Sequence, residues 1–214
     1  MTSKYPTQYD VKAKIAQLFI YPIKSCGAIE LKEAVLTDTG LDLDRAWMVV
    51  DAQGEFLTQR QLPRMALIQP LLKTYDMIVK APGMLALHVS IDEVEKAVSV
   101  KIWEDTAKAF DMGDLAAQWF SDFLGTTARL VRFDPDHKRV SDRQWTGEVE
   151  GLNQFSDGFA LLVISEASLE HLNARLTAAG QAAVSMSPTC GLLRAVKGSM
   201  LGMGQRGQGL TGLS

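Results

Sequence analysis

The sequence has few of the residues that build metal centres, disulfide frameworks or nucleic-acid surfaces. Its 214 residues include 2 cysteines and 3 histidines, and no CxxC, HExxH, P-loop or GxGxxG motif occurs. Two cysteines do not form a disulfide framework. The net charge of −3 lacks the basic surplus that is typical of nucleic-acid-binding proteins. These absences exclude classes of protein without indicating a function. We predict no nucleic-acid partner and no metal-ligating residue.

Long apolar runs are missing as well. No segment approaches the roughly 18 apolar residues of a membrane span, and the polar first residues contain no apolar signal core. A cytoplasmic location without membrane contact is therefore expected. The rest of the composition, which is 47% hydrophobic and 22% charged, is typical of a packed globular fold.

Short strand signals, separated by turns, fill most of the sequence before residue 134. Segments 45–51 and 55–60 flank Ala52-Gln53-Gly54 and give the strongest hairpin signal. Further apolar or alternating runs predict strands at 15–23, 29–37, 66–75, 77–81, 86–90, 97–104 and 128–133. Many short strands with frequent turns indicate a mainly β (α+β) fold with a β-barrel.

One helix is predicted inside this β-rich region. Over 114–124, Leu115, Trp119 and Phe123 recur on one helical face, and Gly125 follows in the position favoured at helix ends. The large aromatic side chains expected in the core are Trp47, Trp103, Trp119 and Phe123.

The last part of the sequence changes character. A buried strand over 159–164 leads to Ser165, which is expected to cap a helix that ends at Gly180. The leucines on one side of this helix are Leu169, Leu172 and Leu176. Segment 187–214 has no acidic and no aromatic residue and shows neither helical nor strand periodicity. A flexible tail is therefore expected there.

Basic and hydroxyl side chains gather on turns between the predicted strands. The turn Tyr21–Gly27 carries Lys24 and Ser25, and Arg45 stands at the start of the next strong strand. An ammonium, a hydroxyl and a guanidinium suit a bound anion such as phosphate. Ordinary solvated charge is the alternative interpretation. Asp44 either orients Arg45 by an ion pair or is a charge at a strand end.

Neither cysteine has the sequence context of a catalytic nucleophile. Cys26 follows the basic turn, and Cys190 lies in the atypical last segment. No companion motif accompanies either thiol, so no catalytic residue is predicted.

Three blocks of sequence resemble one protein family. LFIYPIKSCGAIEL and DTGLDLDRAWMVVDAQGEFLTQRQLPRMALI are similar to the N-terminal β-barrel domain of MOSC-domain proteins, such as the YcbX-type proteins and the mitochondrial amidoxime-reducing component. FSDGFALLVISEASLEHLNARL resembles the opening of the MOSC domain itself. The expected divisions are a flexible tail at 1–13, the barrel at 14–134, a linker at 135–154, a partial MOSC domain at 155–186, and a disordered or frameshifted tail at 187–214.

The resemblance implies a cofactor and residues that hold it. Members of the family bind the molybdenum cofactor (molybdopterin) and reduce N-hydroxylated small molecules with electrons from a redox partner. By this resemblance Lys24 and Ser25 lie at the turn that binds the cofactor phosphate. Arg45 lies beside that turn, and Ser156 lies near the cofactor.

The sequence also departs from the family. The segment that carries the molybdenum-ligating cysteine has no counterpart, and Cys190 stands in a different context. Two functions are therefore open. The chain is a truncated molybdenum-cofactor reductase that is inactive alone, or it is a non-catalytic β-barrel module that binds an anionic cofactor or a protein partner.

Overall fold

The computed structural model describes residues 13–93 and 96–184, together with the backbone of Leu192–Ala195. Most of its regular structure is β-strand, which confirms the predicted mainly β class. The strands, in chain order, are β1 Ile15–Ile20, β2 Ile29–Leu31, β3 Leu36–Thr37, β4 Gly40–Leu41, β5 Trp47–Val50, β6 Gln69–Leu72, β7 Asp76–Lys80, β8 Leu87–Ser90, β9 Lys96–Ile102, β10 Asp105–Asp111, β11 Arg129–Phe133, β12 Leu162–Ser165 and β13 Leu192–Ala195. The helices are α1 Asp114–Leu124, α2 Arg143–Thr146 and α3 Glu166–Ala178, and Pro63–Leu67 forms a 3-10 helix.

Four small sheets make up the β structure of the described chain. Their strand orders are β12-β13-β1-β2, β5-β11-β10-β9, β6-β7-β8 and β3-β4. These sheets do not close into one continuous barrel. A parallel bridge between Ile23 and Trp47 joins the chain after β1 to β5.

Helix α1 covers the core through a face that differs from the predicted one. Trp119 and Phe123 are buried as expected, and Phe120 beside them has no exposed surface, but Leu115 is 76% exposed. Leu115 lies in the first turn of the helix. The predicted helix end is confirmed, because Gly125 adopts the left-handed conformation and its N–H donates to the Ser121 carbonyl.

One strand prediction was right only in part, and one strand was missed. Segment 55–60 forms no regular strand, but it turns back beside β5 as predicted: Phe56 bridges Val50, and the Leu57 N–H donates to the Val49 carbonyl at 2.9 Å. Strand β10 was missed, since its sequence DTAKAFD alternates but has few large apolar residues. It is nevertheless central, because it pairs with β9 on one side and β11 on the other.

The prediction that Trp103 lies in the core was also wrong. It stands in the turn between β9 and β10 with a positive φ of 55°, and it is 45% exposed rather than buried in the core. Its ring instead packs edge-on against Phe56, with 4.9 Å between the ring centroids. This places an indole at the surface beside the cavity described below.

The last described elements extend the sheet built on β1. Ser165 caps α3 as predicted, because its hydroxyl accepts the Ser168 N–H. Leu169 is buried, but Leu172 is 45% exposed. Strand β13 falls in the segment 187–214, where no regular element was expected, and it pairs antiparallel with β1 and parallel with β12. Pairing with β13 satisfies backbone N–H and C=O groups at the edge of β1. The periodicity of side chains does not reveal pairing of this kind. The other residues of that segment lie outside the described part.

The predicted linker 135–154 carries structure of its own. It contains α2 and a bridge between Val140 and Leu152, and Arg139 and Asn153 are buried. Its buried polar groups therefore form part of the packed molecule. Among the described helices, none has the length and apolar character that crossing a bilayer requires.

Candidate functional site

A cavity of about 510 Å³ brings together segments that are far apart in sequence. Its walls come from four parts of the chain. These are the turn after β1, Arg45 just before β5, the loop after β5, and the segment that leads into β12. The polar residues that matter for its chemistry are Lys24, Ser25, Arg45, Arg60, Ser156 and Asp157. All four residues that were predicted to bind a cofactor therefore line one cavity, although their role in binding stays a prediction.

Backbone hydrogen bonds hold the turn after β1 against its neighbours. The Lys24 N–H donates to the Trp47 carbonyl at 2.8 Å, and the Gly27 N–H donates to the Ile68 carbonyl at 2.7 Å. Ser25, between them, has a φ of 65°, a conformation that is uncommon for a residue other than glycine. Its carbonyl accepts the Gln59 side-chain amide at 2.9 Å. Such a non-glycine residue is held by its surroundings, and such positions are concentrated at functional sites.

The Arg45 side chain is fixed by an ion pair with Asp44. Of the two roles that the sequence left open for Asp44, the structure therefore has the ion pair. The Arg45 guanidinium donates to the Asp44 carboxylate and, through Nη2, to the Ala160 carbonyl at 3.1 Å. The other Asp44 oxygen accepts the Tyr21 N–H at 2.7 Å. Burial raises the pKa of Asp44, while Arg45 and the Tyr21 N–H act in the opposite direction. Asp44 thus orients Arg45 at the cavity wall.

The Lys24 ammonium is almost enclosed. Its side chain is 8% exposed, and its Nζ donates to the Phe155 carbonyl at 2.9 Å and to the Asp157 carboxylate at 2.6 Å. Burial lowers the pKa of Lys24, and the Asp157 carboxylate opposes that effect. The positive charges of Arg45 and Arg139 lower the pKa further. Asp157 therefore favours the charged form of this lysine.

Asp157 was not among the predicted site residues, although it directly follows Ser156. Its Oδ1 accepts both the Lys24 ammonium and, at 2.9 Å, the Trp103 indole N–H. Burial alone would raise the pKa of Asp157, but Lys24 and Trp103 hold it below its usual range. The Arg60 guanidinium lies over the Trp103 ring at 5.2 Å from the ring centre. Two cavity residues, the Asp157 carboxylate and the Arg60 guanidinium, therefore contact the same indole.

Arg139 is the second residue that sequence reasoning missed. It is 7% exposed and donates hydrogen bonds to the carbonyls of Ser156 at 2.6 Å and Asp157 at 2.9 Å. A single arginine in a polar segment gives no periodic signal. Only the folded chain reveals that it supports the loop that carries two cavity residues.

No described cysteine or histidine joins the cavity. Cys26 is a fully buried residue of the turn after β1, and burial raises the pKa of its thiol well above the usual range. His88 instead contacts Asp76, with 2.7 Å between Nδ1 and the carboxylate. Cys190 lies outside the described residues. Within the described ranges, no group of three or more histidine, cysteine or acidic side chains is arranged to hold a metal ion.

Comparison with known proteins assigns the chain to a family. The model of the MOSC N-terminal beta barrel domain matches residues 12–127. Mitochondrial amidoxime reducing component 2 of Rattus norvegicus is 36% identical over 173 residues, which are 76% of this chain and 51% of that protein. Molybdenum cofactor sulfurase of Bos taurus is 37% identical over 135 residues, which are 61% of this chain and 15% of that protein.

The matched relatives are longer than the aligned part. The chain spans about half the length of the amidoxime reducing components it matches, including the Mus musculus component 1, which is 36% identical with 50% of its length covered. A solution structure of a Bordetella bronchiseptica protein is 27% identical, covers 50% of this chain and 92% of that protein, and has a TM-score of 0.40. The resemblance noted in the sequence is confirmed, and the chain belongs to the MOSC N-terminal beta barrel domain family.

Proposed function

We propose that the cavity binds the molybdenum cofactor through its phosphate end. The supporting observation is the convergence of Lys24, Ser25, Arg45 and Ser156 on one cavity from three separate parts of the chain. A phosphate monoester needs several N–H and O–H donors and positive charge, and this set supplies both. Relatives named for this cofactor, or for amidoxime reduction, support the choice of ligand.

The chemistry of the cavity fits such a group. Its charged lining residues are three cations, Lys24, Arg45 and Arg60, and one anion, Asp157, so the lining is net positive. The volume of about 510 Å³ lies within the range of about 300–1,000 Å³ that is usual for small-molecule sites. The guanidinium of Arg45 is already oriented by Asp44, which lowers the cost of ordering it when an anion binds.

The bound cofactor would supply the redox-active molybdenum. The chain's own residues would hold the phosphate: Lys24 and Arg45 by charge-assisted hydrogen bonds, and Ser25 and Ser156 through their hydroxyls. Asp157 would keep the Lys24 ammonium protonated and turned toward the cavity. In the whole protein we propose reduction of N-hydroxylated small molecules, with electrons taken from a redox partner. Relatives named for amidoxime reduction support this class of substrate.

A second candidate is a binding module that performs no chemistry by itself. It is favoured by one observation: none of the described residues that line the cavity is a cysteine. Molybdenum bound here would therefore lack a thiolate ligand from the described part of the chain. Under this proposal the chain alone holds an anionic cofactor, or docks on a partner, without catalytic turnover.

A titration with inorganic phosphate tests the anion site. Calorimetry should detect binding to the full chain, and binding should be lost in Lys24→Met. Lys101→Met is the matched control, because Lys101 pairs with Glu55 at 2.7 Å and does not line the cavity. Absence of phosphate binding by the wild-type chain, or equal binding by Lys24→Met, would contradict the proposal.

A further inference from the structure

Arg139 gathers several acceptors of one loop around a single guanidinium. Its Nη1 donates to the carbonyls of Gln154 at 2.8 Å and Ser156 at 2.6 Å, and its Nη2 donates to the Asp157 carbonyl at 2.9 Å. Nη1 also contacts the Asn153 side-chain oxygen. All these acceptors lie within residues 153–157, which we call the support loop.

The support loop carries two of the polar residues that line the cavity. Ser156 donates its hydroxyl to the Asn153 side-chain oxygen at 3.0 Å, which is the same oxygen that Arg139 contacts. Asp157 reaches the Lys24 ammonium at 2.6 Å. The conformation of the loop therefore determines where both side chains stand.

Arg139 is itself anchored from outside the loop. Its Nε donates to the Asp105 carboxylate at 2.8 Å, and Asp105 is the first residue of β10. A guanidinium holds five donors in a rigid planar fork, whereas an ammonium is a point charge on a flexible stem. Lysine at this position therefore keeps the charge but not the simultaneous contacts to strand and loop.

We propose that Arg139 is a positioning residue for the anion site: it fixes the support loop so that Asp157 stays on the Lys24 ammonium and Ser156 stays at the cavity wall. The inference rests on the proposed function of that cavity. Arg139 is not among the residues that line the cavity, so it acts only through the loop.

The position of the support loop also sets the pH range in which the cavity binds an anion. The charged groups that face Lys24 are Asp157, Arg45 and Arg139, and Asp44 faces Arg45. Burial and the two arginines lower the pKa of Lys24, and only Asp157 acts in the other direction. A displaced support loop separates Asp157 from Lys24. The ammonium then loses its proton at a lower pH, and anion binding fails at a lower pH with it.

The experiment compares Arg139→Lys with Arg129→Lys in the full chain. Arg129 pairs with Asp111 and Asp114 and does not line the cavity, so its variant controls for general loss of stability. Inorganic sulfate is the probe, because it stays a dianion from about pH 6 to about pH 10 and its own charge does not enter the profile. Affinity is measured by calorimetry across this range, and folding is monitored by circular dichroism.

We expect Arg139→Lys to weaken sulfate binding about tenfold near neutral pH, as is common when a supporting contact of a site is lost. Its alkaline loss of binding should occur at a lower pH than in the wild-type chain. Arg129→Lys should change neither affinity nor profile. Asp157→Asn should shift the profile in the same direction as Arg139→Lys.

The outcomes separate the inference from the proposed function. No sulfate binding by the wild-type chain overturns both. Wild-type binding that Lys24→Met abolishes, but that Arg139→Lys leaves unchanged in affinity and pH profile, overturns the role of Arg139 alone. Equal weakening by Arg129→Lys also overturns it. If Arg139→Lys does not fold, Asp105→Asn replaces it, because that variant loosens only the outer anchor of Arg139; an unchanged profile then overturns the role.

Discussion

Replacement of Lys24 by methionine should weaken anion binding at least tenfold while leaving the fold nearly as stable as before. The ammonium makes two hydrogen bonds, to the Phe155 carbonyl and the Asp157 carboxylate. The cost of removing the ammonium from water offsets much of the free energy that these hydrogen bonds contribute. Methionine has nearly the same length and bears no charge. Asp157, whose side chain is 66% exposed, can return to water. We therefore expect the free energy of unfolding to change by no more than about 1 kcal/mol.

The free energy of anion binding should change more than the free energy of unfolding. One charge-assisted hydrogen bond contributes about 1.5–3 kcal/mol, which corresponds to roughly a tenfold to 150-fold loss of affinity for phosphate. The effect on affinity and the small effect on stability together would identify Lys24 as a residue kept for binding.

The lysine should also affect how the free energy of unfolding depends on pH. Because burial lowers the pKa of Lys24 in the folded chain, the unfolded chain binds more protons than the folded one between the lowered pKa and the usual value near ~10.4. Wild-type stability should therefore gain a contribution as pH rises through that window, and Lys24→Met should lack it. Urea unfolding at several pH values measures both quantities. A loss of more than about 2 kcal/mol with intact phosphate binding would refute the reasoning.

Two further predictions concern the fold. Phe120 has no exposed surface and its ring lies edge-on to Trp119 at 5.0 Å, so Phe120→Ala should reduce the free energy of unfolding by about 3–5 kcal/mol; a loss below about 1 kcal/mol in urea unfolding would contradict the described packing of α1. Asp111→Asn should cost about 2 kcal/mol at neutral pH. Burial alone would raise the pKa of Asp111, but Arg129 and the Gly113 N–H hold it low. That stability is present above the unfolded pKa near ~3.9 and is lost as pH falls through the folded pKa. The wild-type and variant curves should therefore converge in acid, and a constant difference would refute the pairing.

The parts of the fold that the sequence predicted well are those with a local signal. Helix α1 was predicted with the bounds that the structure has, because its apolar spacing and Gly125 act within one segment. The cap at Ser165 was predicted for the same reason. Strand β10 was missed because its stability comes from two neighbouring strands rather than from its own apolar residues.

The candidate site residues found from the sequence were those on a basic turn, those near a strand end, and those within blocks that match the family, as Ser156 does. Lys24, Ser25 and Arg45 were identified because a lysine, a hydroxyl and an arginine stand near strand ends and match the family blocks. Arg139 gave no such signal. Its importance comes from carbonyls of a loop that begins fourteen residues later, at Asn153, and a sequence does not show where carbonyls point. Trp103 was placed in the core on its size alone, whereas it stands in a turn and its indole donates to Asp157.

We propose above that the cavity holds the phosphate end of the molybdenum cofactor. The most direct test is the pterin and molybdenum content of the chain purified from a host that makes this cofactor, compared with Lys24→Ala/Arg45→Ala. Lys101→Ala serves as a matched control because Lys101 lies outside the cavity. We expect molybdopterin bound to the wild-type chain and to the control, and its loss from the double variant. Absence of pterin from the wild-type chain, or equal pterin in the double variant, would show that the cavity does not bind this cofactor.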